Sequence, residues 1–131
     1  MARRKSKTLT EVELEFMNVL WSGKEFTTEQ VLDALRLSGR DLTDGSVRKV
    51  LSILAAKGYA SRRPQGQGFL YRAEVPRDHA RRNLVRDLLR RAFDGSAAML
   101  VASLFDQRDV RPAEIRRIKL LIARHEKENR K

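Results

Sequence analysis

One stretch, residues 43–73, limits what this chain can fold into, because its hydrophobic period changes halfway along. In the first half apolar residues recur at i, i+3, i+4 and i+7, which predicts a helix with one buried face. Thr43 is placed to cap the start of this helix, and Gly58 stands where a left-handed stop is expected. The residues of the buried face are Val47, Val50, Leu51 and Leu54.

The second half of this stretch predicts a β-hairpin. Residues 59–63 and 69–73 alternate as strands do, and residues 64–68 between them are rich in proline and glycine. Two helices are predicted before the stretch, over residues 9–22 and 27–37, each opened by a capping box. Two helices, a short turn, a third helix and a hairpin make a winged helix-turn-helix, whose third helix enters the major groove of DNA.

The charge of the chain favours a polyanionic partner. The formal net charge is +11 with a pI near 10.8, which suits phosphate contacts and counterion release. Residues 1–8 carry several Lys and Arg and are expected to be a solvated start or a basic arm that adds weak attraction to phosphates. A basic protein without such a partner is the alternative.

Composition also argues against several classes of protein, namely disulfide-bonded, membrane-spanning and catalytic ones. The 131 residues contain no cysteine, which removes disulfides and thiolate metal sites and fits a reducing compartment. No apolar run approaches the ~20 residues of a membrane span, so a cytoplasmic protein without membrane insertion is expected. The two histidines lie in different predicted helices and no catalytic motif occurs, so no enzyme, metal site or cofactor is predicted.

Ten polar residues are the candidates for contact with double-stranded DNA. Ser46 and Lys49 lie in the first turns of the third helix, where side chains reach base edges, and lysine favours guanine. Their neighbours on that helix are expected at phosphates, and those of the hairpin at the backbone or minor groove. The start of the second helix could also accept a phosphate. The full set is Thr28, Thr43, Ser46, Arg48, Lys49, Ser52, Arg62, Arg63, Gln67 and Arg72.

The remainder of the chain predicts a helical dimerisation region over residues 76–131, after a DNA-binding domain over residues 1–75. Three helices are expected, at 76–93, 97–105 and from Pro112 onward, with a charged end from Arg124 that frays. They carry more apolar surface than three short helices can bury, which favours a symmetric homodimer over a single globule. The expected interface residues are Leu84, Leu88, Leu89, Phe93, Leu100, Leu104, Ile115, Ile118 and Ile122.

Several segments resemble the penicillinase (β-lactamase) repressor family, BlaI/MecI. They are residues 9–21 (LTEVELEFMNVLW), 28–31 (TEQV), 46–51 (SVRKVL) with Lys57-Gly58, and 93–96 (FDGS). The resemblance runs from Leu9 to about Ile122. It implies a dimeric winged-helix repressor on a dyad operator, with dimer contacts in the C-terminal helices.

The resemblance also implies a mode of release. In that family a membrane-bound sensor-protease pathway relieves repression by cleavage in the dimerisation helices, and the cleaved Asn-Phe bond aligns with Ser103-Leu104 here. The residues at the bond therefore differ. In the recognition helix, Gly45 and Ile53 stand where the family commonly has lysine and arginine, so the operator is expected to differ as well.

Two other functions remain open at this stage. The charge suits a non-specific architectural DNA-binding protein, which would show a steep salt dependence and little preference among sequences. A winged-helix regulator that senses a small molecule would need a pocket in its dimerisation region, and no sequence feature marks one.

Overall fold

The computed structural model describes residues 8–106 and 110–130, so the basic arm and the last residue lie outside the described residues. It confirms a mainly α fold with one small antiparallel sheet, in the strand order β1-β3-β2. The elements are α1 (Glu11–Trp21), β1 (Phe26–Thr27), α2 (Thr28–Leu37), α3 (Asp44–Lys57), β2 (Ala60–Gln65), β3 (Gly68–Ala73), α4 (Arg77–Ala92), α5 (Ala97–Asp106) and α6 (Pro112–Asn129).

The predicted capping residues of the first three helices are confirmed, although α1 is shorter than predicted and begins at Glu11. Thr10 and Thr27 each form a complete capping box, with Glu13 and Gln30 as the reciprocal partners. Thr43 Oγ1 accepts a hydrogen bond from the Ser46 amide at 3.1 Å and so starts α3. Gly58 ends that helix at φ 88°, a left-handed conformation that glycine adopts without steric cost.

The sheet differs from the prediction in two ways. The hairpin strands are longer and their turn is shorter, because Gln65 pairs with Gly68 and leaves only Gly66 and Gln67 at the tip. Strand β1 was missed: its two residues pair with β3, Phe26 opposite Tyr71. A two-residue strand carries too few alternations to show in the sequence.

The core lies between α1, α2, α3 and the base of the sheet. The largest side chains that are fully buried there are Phe16, Met17, Leu20, Leu35, Leu51, Leu54, Val31 and Val47. Beside this core, Lys57 Nζ donates to both carboxylate oxygens of Glu13, at 2.8 and 3.0 Å. Glu13 Oε1 also accepts from the Thr10 amide at 2.9 Å, so one carboxylate links the start of α1 to the end of α3.

The chain divides into two compact units within α4, one through Asp87 and one from Leu88. We call their described residues, 8–87 and 88–130 without 107–109, the winged unit and the C-terminal unit. Ala80 is buried in the core of the winged unit, and Leu84 packs against it. In α5 and α6 no described residue is buried. The last helix continues to Asn129, so the predicted fraying from Arg124 was wrong.

Candidate DNA interface

A cleft of about 1360 Å³ opens on the winged unit where the start of α2, the exposed side of α3 and the hairpin meet. We call it the recognition cleft. Six of the ten predicted contact residues line it, so the fold brings together positions from three separate elements. These six are Thr28, Arg48, Lys49, Ser52, Arg62 and Gln67.

Helix α3 presents its polar side because its apolar side is fixed in the core. Val47, Leu51 and Leu54 are fully buried, whereas Lys49 and Ser52 are exposed. Of the helix cations, Arg48 forms an exposed ion pair with Asp44 at 2.9 Å. Within the part of the chain that the structure describes, Lys49 forms no ion pair. The Lys49 ammonium is therefore available to donate hydrogen bonds to a phosphate or a base edge.

Thr43 and Ser46 lie just outside the residues that line the cleft, at the start of α3. Their hydroxyl groups are 2.9 Å apart and hydrogen-bonded. Both are exposed, so the cap interaction leaves them within reach of a ligand. Thr28 is the first residue of α2 and is half-buried, while the cap itself is provided by Thr27.

One face of the hairpin turns toward the recognition cleft. Residues directly opposite each other in an antiparallel pair share a face, and Arg62 is opposite Tyr71. The Arg62 guanidinium lies 4.4 Å from the centre of the Phe69 ring and donates to the Tyr71 hydroxyl at 3.2 Å. The two aromatic rings meet edge to face with centroids 6.3 Å apart. All three side chains line the cleft.

The other face of the hairpin holds the remaining two predicted arginines. Arg63 forms two hydrogen bonds to the Glu25 carboxylate, at 2.8 and 2.9 Å. These bonds hold the pKa of Glu25 below its ordinary value and raise the pKa of Arg63. Arg72 donates to the Ser61 hydroxyl at 3.3 Å and lies 3.7 Å from the Glu74 carboxylate. Neither arginine lines the recognition cleft.

Positive charge is unevenly distributed along the chain. Residues 8–75 contain nine Lys and Arg and nine Asp and Glu, so this segment has no formal net charge. Residues 76–131 contain fifteen basic and eight acidic residues, and residues 1–7 add four basic ones. The net charge of the whole chain therefore does not predict the electrostatic potential of the cleft. That potential depends on which individual basic side chains line it.

Three residues with evident roles were missed by sequence reasoning. Phe69 and Tyr71 were assigned only to a strand, and Glu25 to no role. The register of the hairpin would have placed both aromatic side chains beside Arg62, but the turn length that fixes this register was predicted wrongly. The Glu25–Arg63 pair spans 38 residues and leaves no local signal.

The predicted interface residues of the C-terminal region are half-buried or exposed in the single chain. Leu88, Leu104 and Ile122 have 45%, 41% and 54% of their surface exposed. Apolar neighbours that were not predicted are exposed as well, among them Met99, Leu120 and Leu121. At the aligned cleavage position, Ser103 is half-buried and Leu104 is exposed. Leu84 differs from the others because it packs against the core of the winged unit.

The first three helices, the hairpin and the cleft between them define a winged helix-turn-helix DNA-binding protein. The family model of the penicillinase repressor matches residues 9–124. The chain therefore belongs to the penicillinase repressor family, whose members are DNA-binding transcriptional repressors and not enzymes. This confirms the family and the repressor function that the sequence motifs indicated.

Individual relatives are distant but cover most of the chain. The methicillin resistance regulatory protein MecI of Staphylococcus aureus is 20% identical over 118 residues, which are 90% of this chain and 95% of MecI. An uncharacterized 16.5 kDa protein of Latilactobacillus sakei is 25% identical over 114 residues, 87% of this chain and 77% of that protein. The solution structure of the DNA-binding domain of the repressor BlaI has a TM-score of 0.51 at 22% identity and covers 59% of this chain and 93% of that domain. This likeness supports the winged-helix fold.

Membrane-spanning helices and clustered metal ligands are both absent from the described residues. No helix among them is long and apolar enough to cross a membrane. No group of His, Asp or Glu side chains within residues 8–106 and 110–130 could hold a metal ion.

Proposed function

We propose that this repressor acts as a homodimer on a dyad operator, with the recognition cleft of each protomer on one half-site. The observation that carries the proposal is the cleft itself, because it gathers an exposed helix face, a helix start and a hairpin on one side of a rigid core. Such a surface matches the major groove and its flanking backbone. A DNA ligand supports a cytoplasmic location.

Base recognition is assigned to the start of α3. Ser46 and Lys49 are exposed there, and lysine pairs with guanine O6 and N7. Thr28, Thr43, Arg48 and Ser52 surround them and are assigned to phosphates. Gln67 at the hairpin tip reaches the flanking DNA. Arg63 and Arg72 were predicted contacts too, and the proposal ranks them last because carboxylates already engage them.

Dimerisation is assigned to the C-terminal unit. Its helices α5 and α6 bury no described residue, yet they carry large apolar side chains with about half of their surface exposed. An exposed apolar surface of this kind is typical of an interface. A symmetric partner would cover it and would present two α3 helices to the two half-sites of a palindrome.

Release from the operator by cleavage at Ser103-Leu104 is the finer part of the proposal, and it rests on the family resemblance. The exposed Leu104 side chain supports access for a protease. Mass spectrometry of the chain from cells challenged with a β-lactam tests it. We expect a fragment ending at Ser103, and an intact chain during derepression would contradict cleavage.

The test of DNA recognition is selection from a random duplex library, followed by binding measurements on the selected duplex and on unselected duplex. We expect a selected palindrome and a preference of about a thousandfold or more over unselected DNA. Lys49→Ala is expected to reduce this preference, whereas Arg48→Ala weakens binding to both duplexes equally. Equal affinity of the wild type for both duplexes would favour the architectural alternative and overturn operator recognition.

A further inference from the structure

Two consecutive arginines of strand β2 have opposite surroundings. Arg62 faces the recognition cleft and is contacted by an aromatic ring and a phenol, both neutral. Arg63 faces away and is bound by the Glu25 carboxylate through two hydrogen bonds. Within residues 8–106 and 110–130, no carboxylate forms an ion pair with Arg62.

We propose that Arg62 is the arginine with which the hairpin contacts DNA, and that Phe69 and Tyr71 position its side chain. Arg63 has a structural role instead, as the partner of the Glu25 carboxylate. The inference deepens the proposed function and rests on it. The first difference between the two arginines is electrostatic. Because Arg62 has no carboxylate partner among the described residues, it can bind a phosphate or a base edge without breaking an ion pair. Arg63 would first have to break its two charge-assisted hydrogen bonds to Glu25.

Two aromatic residues hold the Arg62 side chain in position. Its guanidinium is stacked 4.4 Å from the Phe69 ring centre, within the range of a cation–π contact. The Tyr71 hydroxyl accepts one of its N–H groups from the side, and the Tyr71 ring is buried and therefore fixed. A free arginine on a strand has many rotamers, and each one excluded before binding lowers the entropic cost of the contact.

Most of the hydrogen-bond donors of Arg62 remain available to a ligand. Arginine has five N–H donors, and Tyr71 accepts one of them in the structure. The other donors are open to phosphate oxygens or to acceptors on the floor of the minor groove. Phe69 is 39% exposed at the cleft, so a ligand that meets Arg62 meets the ring edge as well.

The matched pair Arg62→Ala and Arg63→Ala tests the difference between the two faces. The probe is unselected duplex DNA, and the observable is the slope of log affinity against log salt. Arg62→Ala is expected to reduce the slope by about 0.9, the value for one lost phosphate contact, and Arg63→Ala to leave it unchanged. An equal reduction for both variants, or a reduction for Arg63→Ala alone, would overturn the assignment.

A double-mutant cycle tests the positioning role. On the duplex selected by the wild type, Phe69→Leu is expected to lower affinity about two- to fivefold, the value of a cation–π contact. Phe69→Tyr keeps an aromatic face and should restore wild-type affinity. In the Arg62→Ala background Phe69→Leu should have no further effect, because no guanidinium remains to be held.

Tyr71→Phe extends the cycle, because it removes only the hydroxyl group that accepts from Arg62. It is expected to weaken binding about twofold in the wild type and not at all beside Arg62→Ala. Additive losses for either aromatic residue would overturn the positioning role. A wild-type protein that binds neither duplex would instead refute the proposed function, so the two failures are distinguishable.

Discussion

The winged unit and the C-terminal unit are built on opposite principles. The first has a core of fully buried apolar side chains and, over residues 8–75, no formal net charge. The second belongs to a segment with almost twice as many basic as acidic residues, and its helices α5 and α6 bury nothing among their described residues. We therefore expect the winged unit to fold by itself, and we propose that the helices after it need a partner to cover their apolar surface.

A cavity at Leu51 tests whether the winged unit has its own core, and it should change the free energy of unfolding strongly. Leu51→Ala removes a fully buried side chain and should lower the free energy of unfolding by about 2–5 kcal/mol, because a cavity remains. The matched control is Leu37→Ala, since Leu37 is 90% exposed and its loss should change stability by less than about 0.5 kcal/mol. Urea unfolding measures both. Similar losses of stability for the two leucines would contradict a separate core in the winged unit.

The next effect tests the dependence of the C-terminal unit on a partner. Leu88→Asp places a charge on an apolar surface that we assign to the dimer, and should weaken self-association about a hundredfold, or ~2.7 kcal/mol. Sedimentation equilibrium gives the association constant, with Leu88→Met as the control that keeps an apolar side chain. An unchanged mass for Leu88→Asp would mean that this surface is not the interface.

A smaller effect concerns the ion pair beside the core of the winged unit. Glu13→Gln keeps an oxygen for the Thr10 amide but removes the charge opposite Lys57, and should cost about 1–2 kcal/mol of folding stability. The control is Glu11→Gln in the same first turn of α1, because Glu11 is exposed and its substitution should leave folding stability nearly unchanged. Equal unfolding midpoints in urea for the Glu13 variant and the wild type would show that the pair contributes nothing.

The smallest effect is a pH dependence confined to the winged unit. Hydrogen bonds from Arg40 and Arg63 hold the pKa values of Glu15 and Glu25 below their ordinary value of 4.5. The unfolded chain therefore binds protons first, and the stability from these pairs is complete above pH 4.5 and is lost as the pH falls through the lowered pKa values. The stability difference between the wild type and the variant Glu15→Gln/Glu25→Gln should therefore shrink in acid. A difference that grows below pH 4.5 would reverse the assigned sign.

Local features were predictable from the sequence, and distant pairings were not. Capping boxes at Thr10 and Thr27, and the left-handed Gly58, depend on residues within one turn. The pairing of Phe26 with Tyr71 depends on the tertiary fold, so β1 was missed. The same holds for the candidate site. The exposed face of α3 was predictable from the hydrophobic period of the helix, whereas the different surroundings of Arg62 and Arg63 depend on the register of the hairpin.

The carboxylate of Glu13 has a consequence for how such repressors can diverge. It links Lys57, at the far end of α3, to the first helix, whereas the exposed side chains of Lys49 and Ser52 form no hydrogen bond to other side chains in the part of the chain that the structure describes. On the proposed assignment of Lys49 to base recognition, substitutions at this position would change the preferred operator and leave the link between Glu13 and Lys57 intact. New target genes could then be acquired through the exposed face of α3 alone, without repacking the core behind it.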